Sequence, residues 1–176
     1  LLRIIGGQWR SRKLRFAAAP GLRPSPDRVR ETLFNWLMAE VAGARCLDLF
    51  AGSGALGLEA LSRGAATCHF IDSNGANCRQ INAHLHTLQC SAGHVVNSDA
   101  RAWLQQSTPT PFDIAFLDPP FRGDLLGDCC ALLESRGWLA TSAWIYIETA
   151  SDEVLPPLPA NWRPHRDRSA GKVAYR

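Results

Sequence analysis

No stretch of this 176-residue chain approaches the ~20 consecutive apolar residues of a membrane helix, and no signal-peptide pattern opens it. A cytoplasmic protein that makes no use of a membrane is expected. Metal chemistry is poorly provided for. The six cysteines, Cys46, Cys68, Cys78, Cys90, Cys129 and Cys130, form no C-x-x-C pair. His84 and His86 stand two apart on an expected helix, so their rings point to different faces. Reduced thiols and no metal site follow as the expectation. Internal repeats and low-complexity segments are absent too. What remains is an ordinary globular composition, 46% hydrophobic and 20% charged, long enough for one domain with a real core.

Acid is scarce in one region only. Residues 1–30 hold Arg3, Arg10, Arg12, Lys13, Arg15, Arg23, Arg28 and Arg30 against a single acid, Asp27. The remaining residues hold 11 bases and 15 acids. A basic arm on a mildly acidic body is a layout of nucleic-acid-binding proteins, and arginine suits bidentate phosphate contacts. Ile4, Ile5, Trp9, Leu14 and Phe16 interleave with these charges, which predicts a short hairpin turning at Gly6-Gly7 rather than a disordered arm.

Pro24-Ser25-Pro26 ends the arm, and Ser25 is placed to N-cap a helix whose first residue is Pro26. Val29, Leu33, Trp36 and Leu37 give that helix an apolar stripe. From Cys46 onward strands and helices alternate. Strands are expected at 46–50, 67–72, 95–98, 112–117 and 144–148, with helices at 56–62, 77–88, 100–106 and 125–134. Repeated βα units imply a parallel sheet with helices on both faces. Pro156, Pro157, Pro159 and Pro164 leave no room for a last helix, so the final strand, 173–175, is expected to enter antiparallel at or near an edge.

Two segments carry chemistry. In the first, Asp48 ends a strand and is followed by Phe50-Ala51-Gly52-Ser53-Gly54-Ala55-Leu56-Gly57. The three glycines match G-x-G-x-x-G, and Asp72 lies about 20 residues on, as in a dinucleotide-binding unit. Charge argues against that reading: the Asp48 carboxylate would face a pyrophosphate, whereas it suits a cationic ligand. S-adenosylmethionine, with its sulfonium and ammonium groups, is such a ligand. Asp72, beside Ser73, is then placed for the ribose hydroxyls, and Asp99, between Ser98 and Ala100, for the adenine amino group. The alternative is that these carboxylates merely cap helices.

The second segment is Asp118-Pro119-Pro120-Phe121. Two prolines fix φ and remove two N–H donors, so the Asp118 side chain and the Pro119 carbonyl can both accept from one exocyclic amine. Phe121 can stack on the base that carries the amine. The alternative is a plain strand-ending turn. Both segments lie where open α/β sheets place ligands, at the carboxyl ends of strands.

Residues 48–57, Asp72, Asp99 and 118–121 resemble motifs I to IV of class I S-adenosylmethionine-dependent methyltransferases. The opening Arg3-Ile4-Ile5-Gly6-Gly7, the run from Arg23 to Asn35, and Phe50-Ala51-Gly52-Ser53-Gly54-Ala55-Leu56-Gly57-Leu58-Glu59-Ala60 narrow this further. They resemble the RsmD family, over nearly the whole chain. The resemblance implies a Rossmann-like fold with a mostly parallel seven-stranded sheet and an antiparallel C-terminal strand. It implies a basic arm at 1–24 and a methyltransferase domain at 25–176.

It also implies transfer of methyl from S-adenosylmethionine to the N2 of a guanine in bacterial 16S ribosomal RNA, within the 30S subunit; nothing in the sequence demands more than a monomer. Asp48, Phe50, Ala51, Gly52, Gly54, Leu56, Asp72, Ser73, Ser98, Asp99, Ala100 and Asp118 would meet the cofactor. Asp118, Pro119 and Phe121 would hold the guanine, and the arm cations would grip RNA. One departure is Asp72, a short carboxylate where the family commonly has Glu. A DNA adenine-N6 methyltransferase, or an RNA-binding protein that has kept the fold without catalysis, are the competing readings.

Overall fold

The computed structural model describes residues 1–17, 22, 24–120 and 124–176. A hairpin of β1 (Leu2–Arg3) and β2 (Lys13–Leu14) precedes α1 (Asp27–Trp36). Strand and helix then alternate through β3 (Arg45–Asp48), α2 (Ala55–Ser62), β4 (Thr67–Asp72), α3 (Gly75–Thr87), β5 (Gly93–Asn97) and α4 (Ala100–Gln106). The chain continues through β6 (Phe112–Leu117), α5 (Leu125–Ser135), β7 (Leu139–Ala150), β8 (Arg168–Ala170) and β9 (Val173–Tyr175).

β3 to β9 form one seven-stranded sheet in the order β5-β4-β3-β6-β7-β9-β8. The first five strands in that order are parallel, and β9 runs antiparallel to both its neighbours. This is the expected α/β Rossmann-like sheet. Successive strand residues serve two cores. Cys46, Ile114 and Phe116 face α1, α2 and α3, whereas Leu47, Ala115 and Leu117 face α4 and α5. A sheet covered on both faces explains why these strands read as unbroken apolar runs. The chain winds outward from β3 in one direction and from β6 in the other, so a crevice opens between their carboxyl ends.

The N-terminal hairpin differs from its expected form. β1 and β2 pair Leu2 with Leu14, and residues 4–12 form a long connection rather than a two-residue turn at Gly6-Gly7. That connection docks on the C-terminal end of α2: Gln8 N–H donates to the Ser62 carbonyl at 2.8 Å and Trp9 N–H to Ser62 Oγ at 3.0 Å. Gly7 (φ 76°) is required there because a Cβ would run into the Ser62 carbonyl. Leu2, Ile4 and Leu14 join the main core, so tertiary packing and not turn chemistry shapes this segment.

Arg30 requires a correction. Expected to contact RNA, it is 1% exposed and its guanidinium points inward. It donates to the Ser25 and Arg3 carbonyls at 3.1 and 2.9 Å, to Asp27 at 2.5 Å and to Glu59 at 3.3 Å. Glu59, fully buried on α2, also accepts from the backbone of Ile5 and Gly6 and from Arg63, each at 2.9 Å. One buried carboxylate thus ties the hairpin, α1 and α2 together. Arg3 is exposed but paired with Asp27 at 2.9 Å. Arg10, Arg12, Lys13, Arg15 and Arg28 are exposed with no described acidic partner.

Ser25 does not cap α1. Pro26 occupies the N-cap position without a side-chain bond, and the Ser25 hydroxyl donates instead to Glu148, 123 residues away. β7 begins five residues earlier than expected, and β8 has no counterpart among the expected strands. Arg168-Ser169-Ala170 has no apolar alternation, and β9 alone holds it as an edge strand. All six cysteines are free. Among the described residues no helix is long and apolar enough to cross a membrane, and no group of three or more His, Cys, Asp or Glu is arranged to hold a metal ion.

Candidate active site

The crevice is a cavity of about 420 Å³ over the carboxyl ends of β3, β4, β5, β6 and β7. Five acids reach it: Asp48, Asp72, Asp99, Asp118 and Glu148. No lysine or arginine among the described residues lines it. Such a site repels phosphate and attracts a cation.

The loop between β3 and α2 forms the floor. Ala51 N–H donates to the Ile71 carbonyl at 2.9 Å, tying the loop to β4. Gly54, the N-cap of α2, has φ 80°, which disfavours any side chain. Gly54 does not itself line the cavity; it shapes the turn that lets Phe50, Ala51, Gly52 and Leu56 do so. Beneath them Asp48 is 2% exposed and accepts from Gly57 N–H at 3.0 Å. Burial pushes its carboxyl up to about 8, the Gly57 hydrogen bond partly opposes this, and Asp72 adds to the rise.

Asp72, at the end of β4, binds the loop from the other side. One oxygen accepts from Gly52 N–H at 2.8 Å, the other from Asn74 N–H at 2.8 Å and Asn77 Nδ2 at 3.2 Å. Asp72 and Ser73 both line the cavity. Asp99 does cap a helix: it is the N-cap of α4, accepting from Ala102 N–H at 3.0 Å. That bond occupies Oδ1, and Asp99, Ser98 and Ala100 all still line the cavity. The capping role and the ligand role are compatible.

Asp118 follows β6 and Glu148 lies on β7, the neighbouring strand, so the two carboxylates stand side by side at the mouth. Desolvation first, then Glu148 and Asp48, hold the Asp118 carboxyl well above the ordinary carboxylate range. Burial likewise raises Glu148, against the opposing hydrogen bonds from Ser25 and Tyr146. Pro119 and Pro120 line the same mouth. Phe121 and Arg23 lie outside the described residues. Ser25, Asn74, Asn77 and Glu148 are cavity residues that sequence reasoning missed. Glu148 had a signal, an acid ending an apolar run as Asp48 and Asp118 do, but its adjacency to Asp118 depends on sheet order.

The family model described as Conserved hypothetical protein 95 matches residues 2–176, nearly the full chain. The chain belongs to this family, the RsmD methyltransferases. Its curated relatives include the Ribosomal RNA small subunit methyltransferase D of Escherichia coli, 55% identical over 99% of this chain and 88% of the relative. The protein of that name from Haemophilus influenzae is 44% identical over 99% and 92%. A solved Escherichia coli structure, described as a candidate methyltransferase named yhhF, superposes with a TM-score of 0.93 at 52% identity, covering 99% of this chain and 94% of that one. The cavity of this RsmD-family chain therefore belongs to a methyltransferase fold, in line with its charge.

Proposed function

We propose that this chain transfers a methyl group from S-adenosylmethionine to the exocyclic N2 of a guanine in 16S ribosomal RNA, with the 30S subunit as substrate. The observation that carries this is the cavity lined by five acids and, among the described residues, by no lysine or arginine, ending at Asp118-Pro119. The names of the relatives support ribosomal RNA of the small subunit as the acceptor. When bound, S-adenosylmethionine supplies the methyl on a positively charged sulfur and leaves as a neutral thioether.

The residues present fit that group. Asp48 and the bare backbone of Gly52 suit its charged methionine portion, Asp72 its ribose hydroxyls, and Asp99 with Ser98 its adenine amine. At the mouth, Asp118 and the Pro119 carbonyl accept the two N2 hydrogens of guanine. Held this way, N2 presents its lone pair to the methyl rather than delocalising it into the ring. As N2 becomes positive, Asp118, Glu148 and Asp48 stabilise it. Once the positive charge of the cofactor favours its ionised form, Asp118 is placed to take the proton that N2 sheds. Arg10, Arg12, Lys13, Arg15 and Arg28 supply phosphate contacts. We place the protein in the cytoplasm, where the small subunit is.

The test is transfer of labelled methyl to undermethylated 30S subunits, naked 16S rRNA and duplex DNA, with products digested to nucleosides. N2-methylguanosine from 30S subunits is expected. Methyladenine in DNA, or cofactor binding without transfer, overturns the reading.

Two further results are expected. At pH 7 the Asp48 carboxyl, at about 8, is largely protonated, and a bound cation favours the ionised form. Cofactor binding at pH 7 is therefore accompanied by proton release, and the Asp48 contribution to affinity grows as pH rises through the raised pKa and levels off above it. Calorimetry in two buffers of different ionisation enthalpy measures the release, and Asp48→Asn removes it. Neutralising Arg10, Arg12 and Lys13 together weakens RNA binding and reduces the salt slope by roughly one for each phosphate that is no longer neutralised. An unchanged slope means that the hairpin does not touch phosphate.

A further inference from the structure

Glu148 has a role that cofactor binding does not require. Leu117 of β6 pairs with Ile147 of β7, so the next residues, Asp118 just past the end of β6 and Glu148 within β7, stand at the same level of the sheet. Strands in register stand roughly 4.8 Å apart. That spacing is about twice the separation of the N1 and N2 atoms of guanine, close enough for two acceptors to converge on one base edge. Glu148 is 6% exposed and lines the cavity.

Its carboxylate is also held in a fixed orientation. The Ser25 and Tyr146 hydroxyls both donate to the same oxygen, Oε2, each at 2.9 Å. No described residue donates to the other oxygen, Oε1. Asp118, Pro119 and Glu148 line the same cavity, and Glu148 Oε1 is the carboxylate oxygen left for a ligand.

Among bases with an exocyclic amine, guanine alone has a ring N–H beside it. Adenine and cytosine place a ring nitrogen lone pair there. Two neighbouring carboxylates thus match a donor–donor edge and repel an acceptor–donor edge. A site built to bond a substrate N–H rejects analogues lacking it far more strongly than an apolar pocket rejects a changed shape.

We infer that Glu148 is a specificity residue whose Oε1 accepts the N1–H of the target guanine while Asp118 and Pro119 hold N2. This rests on the guanine-N2 reading above. Ser25 and Tyr146 act through Glu148 as positioning residues, which is why the segment before α1 is tied to a strand 123 residues away. A purely structural Glu148 would serve only to hold that segment.

The base that separates these roles is 2-aminopurine, which keeps the exocyclic amine at C2 but has an unprotonated N1. First, wild-type protein is assayed on undermethylated 30S subunits, and the methylated position is mapped. If no N2-methylguanosine forms, the guanine-N2 reading itself fails at this step. If it forms, 30S subunits are reconstituted from 16S rRNA carrying either guanine or 2-aminopurine at that position. The wild type should prefer guanine by about 10²-fold or more in kcat/KM.

In Glu148→Gln the two hydroxyls keep the amide oxygen at the Oε2 position and turn its NH₂ toward N1. The guanine rate should fall about 10²-fold. The preference for guanine should shrink at least tenfold, with S-adenosylmethionine affinity within a few-fold of wild type. Tyr146→Phe removes one positioning hydroxyl and should narrow the same ratio several-fold, which preserves the test if Glu148→Gln does not fold. A wild-type ratio near one, or a ratio unchanged in the folded variants whatever their absolute rates, overturns the inference.

Discussion

Asp118→Ala is expected to lower methyl transfer by at least about 10³-fold while S-adenosylmethionine binding stays within a few-fold. The variant loses an acceptor for N2–H, a negative charge beside a nitrogen that becomes positive, and a proton acceptor. Each such contribution is worth on the order of 10²–10³. Stability should move in the opposite direction. Burial, Glu148 and Asp48 raise the folded-state pKa of Asp118. A carboxyl raised on folding binds more protons in the native state, so its ionisation costs stability as pH climbs above the ordinary carboxylate range. Removing it should therefore leave the thermal midpoint at pH 7 unchanged or higher. Asp118→Asn separates the roles. Substantial residual transfer would mean that the side chain chiefly orients the amine, and loss equal to that of alanine would mean that it also takes the proton. Wild-type turnover in Asp118→Ala would remove Asp118 from the site.

Arg30→Ala is expected to destabilise the fold by about 3–5 kcal/mol, the usual cost of removing one partner from a buried ion pair. For a chain of this length that corresponds to a fall of roughly 10 °C in the thermal midpoint. The reason is what remains behind. Glu59 is fully buried and would keep only Arg63 as a countercharge, while the Ser25 and Arg3 carbonyls would lose their shared donor. Replacing both partners with apolar residues, Arg30→Met with Glu59→Leu, should recover only part of the loss. The Ile5 and Gly6 amides that Glu59 binds at 2.9 Å would then be unpaired. Guanidinium or thermal unfolding measures the effect. A change in RNA salt slope without a change in stability would return Arg30 to the RNA-binding surface.

Arg30 and Asp118 illustrate how unevenly the chain reveals itself. That Asp118, Pro119 and Pro120 line the cavity was legible because they follow directly on an apolar strand, at the end where an open α/β sheet leaves its crevice. Asp48, the glycine loop and Asp72 were legible for the same reason: each lies where an apolar run ends, and the loop conformation follows from residues a few positions apart. Arg30 looked like its neighbours Arg28 and Arg23, because a run of arginines carries no mark of which one turns inward. Helical phase places Arg30 one residue after Val29 and three before Leu33, on the edge of the buried stripe, but only the arrival of Glu59 from α2 makes burial of a guanidinium tolerable.

The sequence by itself determined the alternation of strand and helix, the α/β class, the acids at the strand ends and the glycine-rich turn. These depend on periodicity and on backbone preferences within a few residues. Tertiary structure decided what depends on contacts between distant segments. Sheet order put β7 beside β6 and so Glu148 beside Asp118. Packing against Ser62 turned an expected two-residue hairpin into a docked nine-residue connection. Ser25 left the helix cap for a carboxylate across the domain. Each of those choices balances desolvation against a partner far along the chain, and no local pattern contains that balance.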